Sequence, residues 1–228
     1  ATALAENAST ETLAAIEPPT PPFWGRKVVK DIPLKDILPH INEGMLFKIH
    51  WQFKRQGRPI EEYNAFLEKE VRPIYRELIE RCERERILQP QAIYGYWPCQ
   101  SEDNTLYLYD PEYPERILGR FDLPRQQKAP YRCLADYWLT RSSGKQDVVA
   151  LSIVTIGSRA SEVAHESLAA DEYRKYLYLH GFSVEAAEAL ADHIHARVRH
   201  ELSIDEDEES GPGVAGQPVY RGRRFSFG

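Results

Sequence analysis

Val148-Val149-Ala150-Leu151-Ser152-Ile153-Val154-Thr155-Ile156 divides the chain into a part that reads as strands and a part that reads as helices. The run is almost continuously apolar, rich in Val and Ile, and bounded by Gly144 and Gly157. That is the pattern of a strand covered on both faces, so it is expected at the centre of a sheet. Upstream, residues 92–97 and 105–109 carry strand-favouring side chains on either side of the polar turn Ser101-Glu102-Asp103-Asn104, which predicts a hairpin. A third strand is expected over 116–121. Downstream the period lengthens to three and four. One helix is predicted over 162–179, with a break at His180-Gly181. A second is predicted over 184–202, with Ser183 as its N-cap and Ala187, Leu190, Ile194, Val198 and Leu202 as its apolar stripe. Another amphipathic helix spans 59–87, where Tyr63, Phe66, Leu67, Val71, Ile74, Leu78 and Cys82 recur, and Pro73 predicts a kink in it. Strands first and helices later predict an α+β fold with a central antiparallel or mixed sheet flanked by helices.

The composition bounds the function. With 228 residues, 42% of them hydrophobic and 28% charged, the chain falls among ordinary folded domains, which excludes collagen-like, coiled-coil and wholly disordered readings. Thirty-five acids against 29 bases leave a formal charge of -6, the wrong sign for a protein that must neutralise phosphates, so nucleic acid is not an expected partner. No apolar run approaches the ~18 residues of a membrane span. Residues 1–17 lack the basic start and apolar stretch of a signal peptide, so a cytoplasmic location is expected. Cys82, Cys99 and Cys133 are odd in number and widely spaced, which predicts reduced, buried thiols rather than a disulfide framework or thiolate zinc site. Residues 1–22 end in Pro18-Pro19-Thr20-Pro21-Pro22 and read as an interdomain linker, with the folded part over 23–228. Met45 is the sole methionine, and the last residues form an aromatic-rich run without a polar tail. Together these read as a piece of a longer polypeptide.

Motifs for chemistry are sparse. Gly211-Pro212-Gly213-Val214-Ala215-Gly216 fits the dinucleotide fingerprint, but acidic residues rather than a strand precede it and Pro212 and Pro218 spoil its geometry, so a surface loop is expected. A Rossmann-type methyltransferase would need a helix directly after Gly216. His193, His195 and His200 are spaced by two and five along one helix, on diverging faces, so no metal site is expected. No nucleophile elbow, zinc-protease motif or P-loop occurs, and no catalytic acid, base or nucleophile is assigned. Glu188 reads either as a solvated helix residue or, at the edge of the apolar stripe, as one facing a partner segment. Arg224, with Arg221 and Arg223, reads by itself as part of a basic terminal segment.

Five motifs in order carry a resemblance: Thr20-Pro21-Pro22-Phe23-Trp24-Gly25, Tyr94-Gly95-Tyr96-Trp97-Pro98, Leu134-Ala135-Asp136-Tyr137, the helix from 185 to 199, and Tyr220-Arg221-Gly222-Arg223-Arg224-Phe225-Ser226-Phe227-Gly228. From about Pro21 onward the chain resembles the activation domain of cobalamin-dependent methionine synthase. The resemblance implies a helmet-shaped α+β module that binds S-adenosylmethionine for the reductive methylation of cob(II)alamin. It implies a parent enzyme that would transfer methyl from methyltetrahydrofolate to homocysteine. It also implies a cobalamin held by an upstream domain of the same polypeptide, and flavodoxin or a flavoprotein reductase as electron donor. Carried over by position, the site residues are Arg224, Glu188, Asn42 in place of the family's aspartate, and Ser226. In the family's signature Arg-x-x-x-Gly-Tyr-Pro-Ala-Cys-Pro, this sequence carries Arg224 to Gly228 and then stops, as a C-terminally truncated copy would. The rival reading is a docking module for the cobalamin domain or the reductase that has lost its small-molecule site.

Overall fold

Five strands pair into one sheet and six α-helices accompany them among the described residues, which in this computed structural model are 17–204, 224 and 225. In chain order, β1 (Gly25–Val29) is followed by two short helices, α1 (Leu34–Ile37) and α2 (Glu43–Met45), the latter continuing into a π-helical turn, Leu46–His50. Then come α3 (Ile60–Phe66), a second π-helical turn (Leu67–Val71) and α4 (Arg72–Arg84). The remaining elements are β2 (Gln91–Glu102), β3 (Thr105–Tyr109), β4 (Ile117–Asp122), β5 (Asp147–Thr155), α5 (Arg159–Ala169) and α6 (Tyr173–Glu201). The class is α+β, as the order of patterns predicts. Residues 1–16 of the expected linker, the acidic run 205–209, the glycine loop 211–216 and Ser226 lie outside the described residues.

The predicted hairpin is present. β2 and β3 pair antiparallel with Cys99 opposite Leu108 and Glu102 opposite Thr105, and Asp103 in the turn takes φ 53°. β4 adds to β3 antiparallel, with a register shift at Leu108/Tyr109. β2, not β5, is the strand on which the sheet is built: β1, β3 and β5 all pair with it. β5 also lacks the expected cover, since Val149 is 5% exposed but Ile153 is 74% exposed. A continuous apolar run reports strand propensity, and which neighbours bury it is decided elsewhere in the chain.

Two features of the helices also depart from the local signals. Pro73 stands in the first turn of α4, where its missing N–H costs nothing, and a π-helical turn precedes it. The break in the C-terminal helices falls at Ala170–Glu172, where Asp171 has φ 58°, and α6 then runs through Gly181 without interruption. Ser183 is therefore no N-cap. Its buried hydroxyl donates to Leu179 O at 2.7 Å, one turn back along the same helix.

The chain forms two units, each built from separated segments: Ala1–Lys27, Tyr94–Leu151 and His195–Gly228 in the first, Val28–Ile93 and Ser152–Ile194 in the second. The first unit packs Cys99, Leu106, Leu108, Leu123, Cys133, Ala135 and Val149 into one core. The second is centred on aromatic rings. Phe47 meets Trp51 and Tyr75 at 5.4 and 5.5 Å between centroids, Tyr75 meets Phe182 at 5.7 Å, and Trp51 meets Tyr178 at 4.8 Å, separations at which edge and offset contacts are attractive. All three cysteines are buried, and burial pushes the Cys82 thiol up to about 12. No helix among the described residues is long and apolar enough to cross a membrane.

Candidate functional site

In the second unit, three contacts lay the segment 40–51 along α6. The His40 ring meets His193 edge-on at 5.7 Å. The His50 Nε2 lies 3.0 Å from Glu185 Oε1, and because an ionised carboxylate only accepts, the imidazole is the donor. One residue on, the Trp51 indole donates to Tyr178 O at 3.0 Å. Rising residue numbers in the segment thus meet falling numbers in α6, so the two run antiparallel. Gly181 makes the closest approach, because a Cβ there would lie 2.7 Å from the Cβ of His50 and 3.2 Å from the Trp51 ring.

Asn42 and Glu188 fall inside this bracket. Asn42 lies between His40 and His50, and Glu188 lies between Glu185 and His193 on α6, where it is exposed. The Asn42 side chain caps α2, its Oδ1 accepting from Met45 N at 3.0 Å. That bond uses the amide oxygen, and the amide's NH₂ is a donor. An aspartate would offer a second acceptor oxygen instead, so the change to asparagine reverses the hydrogen-bonding sense of the position. The cap is backed by Glu43, whose two carboxylate oxygens take Arg72 Nη1 and Nη2 at 2.9 and 2.7 Å.

Arg224 belongs to the first unit and is half-buried. Its neighbour Phe225 lies against Tyr137, with ring centroids 6.2 Å apart. Tyr137 ends a 3₁₀ turn, Leu134–Tyr137, whose Asp136 is gripped by Arg125 through two bonds of 2.9 and 2.6 Å. Asp136 Oδ2 also accepts from Cys133 N, and Arg125 reaches Asn104 Oδ1 and Tyr131 O, so one guanidinium ties together the loop beneath Tyr137. Of the four residues carried over by resemblance, Asn42 and Glu188 share a unit, Arg224 is in the other, and Ser226 is outside the described residues.

Two acids that matter structurally were not singled out by the sequence reading. Glu185 is 6% exposed on the packed side of α6. Its spacing was the available signal, three residues after Phe182 and four before Ala189, both buried. Glu201, in the first unit, accepts from the hydroxyls of Tyr94 and Tyr96 at 2.8 and 2.9 Å, while Arg197 Nε approaches it at 3.2 Å. Phe23 sits edge-on to both tyrosines. Burial, then the bond to Glu201, raises the Tyr94 phenol to about 12, and Tyr96 shifts upward for the same causes in the same order. Both remain donors over the neutral range. Among the described residues no group of three or more His, Cys, Asp or Glu side chains is placed to hold a metal ion.

Comparison with known proteins agrees with this architecture. The chain is 35% identical over 235 residues to methionine synthase of Mycobacterium tuberculosis (strain ATCC 25618 / H37Rv), covering 96% of this chain and 20% of that protein. It is 32% identical over 226 residues to methionine synthase of Mycobacterium leprae (strain TN), covering 93% of this chain and 19% of that one. The chain thus spans about a fifth of the length of these relatives. The crystal structure of the MetH reactivation domain bound to AdoHcy superposes with a TM-score of 0.71 at 20% identity, covering 89% of this chain and 65% of that one, which shows a shared fold. Residues 33–228 match the family model described as vitamin B12 dependent methionine synthase, activation domain. A match over that much of the sequence settles the relationship: the chain belongs to the activation-domain family of vitamin B12-dependent methionine synthase.

Proposed function

We propose that residues 23–228 bind S-adenosylmethionine and serve the reductive reactivation of a cobalamin carried by another domain of the same polypeptide. The observation that carries the reading is the family match over residues 33–228, and the packing of the Asn42 segment along the Glu188 stretch of α6 supports it. The donor set suits the ligand. A guanidinium at Arg224 takes an α-carboxylate through two parallel charge-assisted bonds, and a carboxylate at Glu188 accepts from an ammonium or from ribose hydroxyls. The NH₂ of Asn42 would donate to a ligand oxygen, and Ser226, outside the described residues, is the fourth proposed contact. When bound, S-adenosylmethionine would supply an already activated methyl group for a corrinoid held by another domain, with flavodoxin or a flavoprotein reductase as the proposed source of the electron. The residues of this chain therefore bind and orient and need not move a proton. The relatives' name extends the proposal to methionine formation by a methyltransferase of which this chain is one module, and the cytoplasm is its proposed location.

Calorimetric titration tests this. The chain is expected to bind S-adenosylmethionine weakly, and more tightly when extended by the family's Tyr-Pro-Ala-Cys-Pro. Arg224→Ala should lose roughly 10- to 150-fold in affinity, the equivalent of about 1.5–3 kcal/mol for a charged hydrogen-bonded contact. Absence of binding by both the chain and its extended form would refute the reading in favour of a docking module.

A further inference from the structure

From the half-buried pairing of His50 with Glu185, we propose that these two side chains act as a positioning clamp for the ligand site, holding the Asn42 turn in register with Glu188. This rests on the reading given under Proposed function. Neither residue is among those carried over from the family, and neither needs to touch the ligand.

The geometry points to a clamp rather than an incidental surface pair. Glu185 is 6% exposed, and a carboxylate so placed is retained at a cost unless a donor satisfies it. His50 supplies that donor at 3.0 Å from the far end of the Asn42 segment, 135 residues away in sequence. Between Asn42 and His50 the backbone leaves the α-helical register: Leu46 N bonds to Asn42 O at 2.9 Å, but Trp51 N bonds to Leu46 O at 2.8 Å, five residues back. A single π-helical turn is the less stable way to hydrogen-bond a backbone and persists where side chains fix it. Here its end is fixed by the His50 bond to Glu185 and the Trp51 bond to Tyr178 O, and its start by the Asn42 cap. Release of His50 lets the turn relax toward the α register. Because the side chains of a helix rotate about 100° per residue, that relaxation turns the cap relative to α6. Glu188 lies about one turn beyond Glu185 on α6, so the displaced segment is the one whose His40 and His50 contacts bracket that stretch of the helix.

The test compares His50→Leu, His50→Gln and, as an unrelated destabilised control, Val149→Ala in the core of the first unit. Amide hydrogen exchange on the ligand-free chain reads the clamp, and calorimetry with S-adenosylhomocysteine reads its consequence. His50→Leu should speed exchange at Met45 and at residues 46–51 and weaken binding roughly tenfold. His50→Gln, whose amide can still donate to Glu185, should recover most of both. Val149→Ala should lower thermal stability without weakening binding by the folded fraction. Unchanged exchange at 45–51 overturns the clamp. Faster exchange with wild-type affinity overturns its positioning role and leaves a purely structural pair. If neither the unsubstituted chain nor its form extended by Tyr-Pro-Ala-Cys-Pro takes S-adenosylhomocysteine, the function reading fails, and the exchange result shows separately whether the clamp exists. Should His50→Leu not fold, Glu185→Met, which keeps most of the side-chain length and removes both acceptor oxygens, is read by the same two measurements with the same outcomes.

Discussion

Replacing Gly181 with alanine sets two effects of opposite sign against each other. In the interior of a long helix, glycine to alanine ordinarily stabilises by about 1 kcal/mol through lower backbone entropy in the unfolded chain. At this position the added methyl would stand 2.7 Å from His50 Cβ and 3.2 and 3.3 Å from Trp51 ring atoms. The first neighbour is a Cβ, which moves only with its backbone, and Trp51 is 3% exposed among Phe47, Tyr75 and Tyr178, so its ring has no room to retreat. Overpacking of this kind costs about 1–3 kcal/mol, and contact with unyielding atoms puts it near about 3. The net expectation is a loss of about 2 kcal/mol. For a chain of this size that is a melting temperature lower by about 4–8 °C, measurable by circular dichroism or calorimetry. In a His50→Gly background the closest obstacle is gone, and the cost of Gly181→Ala should shrink by about 1 kcal/mol or more, a coupling that a double-mutant cycle isolates. A higher melting temperature in Gly181→Ala, or a cost unchanged by His50→Gly, would show that helix propensity and not close packing governs the position.

Gly95→Ala should be more severe, because its Cβ would lie 1.9 Å from Gly25 O and 2.8 Å from Arg26 Cα, all backbone of β1. A loss of about 3 kcal/mol or more in urea denaturation, with β1 amides exchanging faster, is expected, and an unchanged midpoint refutes it. Glu201→Leu strands two phenol hydroxyls at about 1–3 kcal/mol each, while Glu201→Gln keeps one acceptor and should cost about half as much; equal costs would argue against hydrogen bonding as the cause. Stability should also fall in alkali. The folded Tyr94 phenol titrates at about 12 against about 10 unfolded, so its contribution is whole below pH ~10 and is lost as pH rises through about 12, with Tyr96 acting in the same direction. Urea midpoints across that range should fall less steeply in Tyr94→Phe than in the unsubstituted chain, and parallel slopes would refute the assignment.

What the sequence makes legible is what local chemistry decides. The polar turn at 101–104 demands a reversal and strand-formers flank it, so the hairpin is readable, and the stripe through Leu190, Ile194 and Val198 is buried as its spacing predicts. The misread places are those where a distant residue overrides a local signal. Gly181 has the look of a helix terminator, but its small size serves the approach of His50 and Trp51, more than 100 positions earlier in the chain. The true break at Asp171 carries neither glycine nor proline. Ile153 belongs to a run that looks buried, but burial depends on what covers a strand, and nothing within the run specifies that. For the site the division is sharper. The proposed contacts Asn42, Glu188 and Arg224 come from resemblance and not from spacing, because a site proposed only to bind and orient would leave no acid–base or nucleophile pattern to find. Glu185 was readable, as a charge at a buried helical position, once the phase of α6 is known.

The two units interleave along the chain, which changes partner after residues 27, 93, 151 and 194. None of these crossings falls in a loop: they lie within β1, β2, β5 and α6. Neither half can be excised as one uninterrupted gene fragment, and a protease nick or a permuted terminus placed at a crossing would sever a strand or helix rather than a connector. Shuffling within this family therefore has to move the module whole, and truncation series meant to find a minimal piece should give soluble product only near its outer limits.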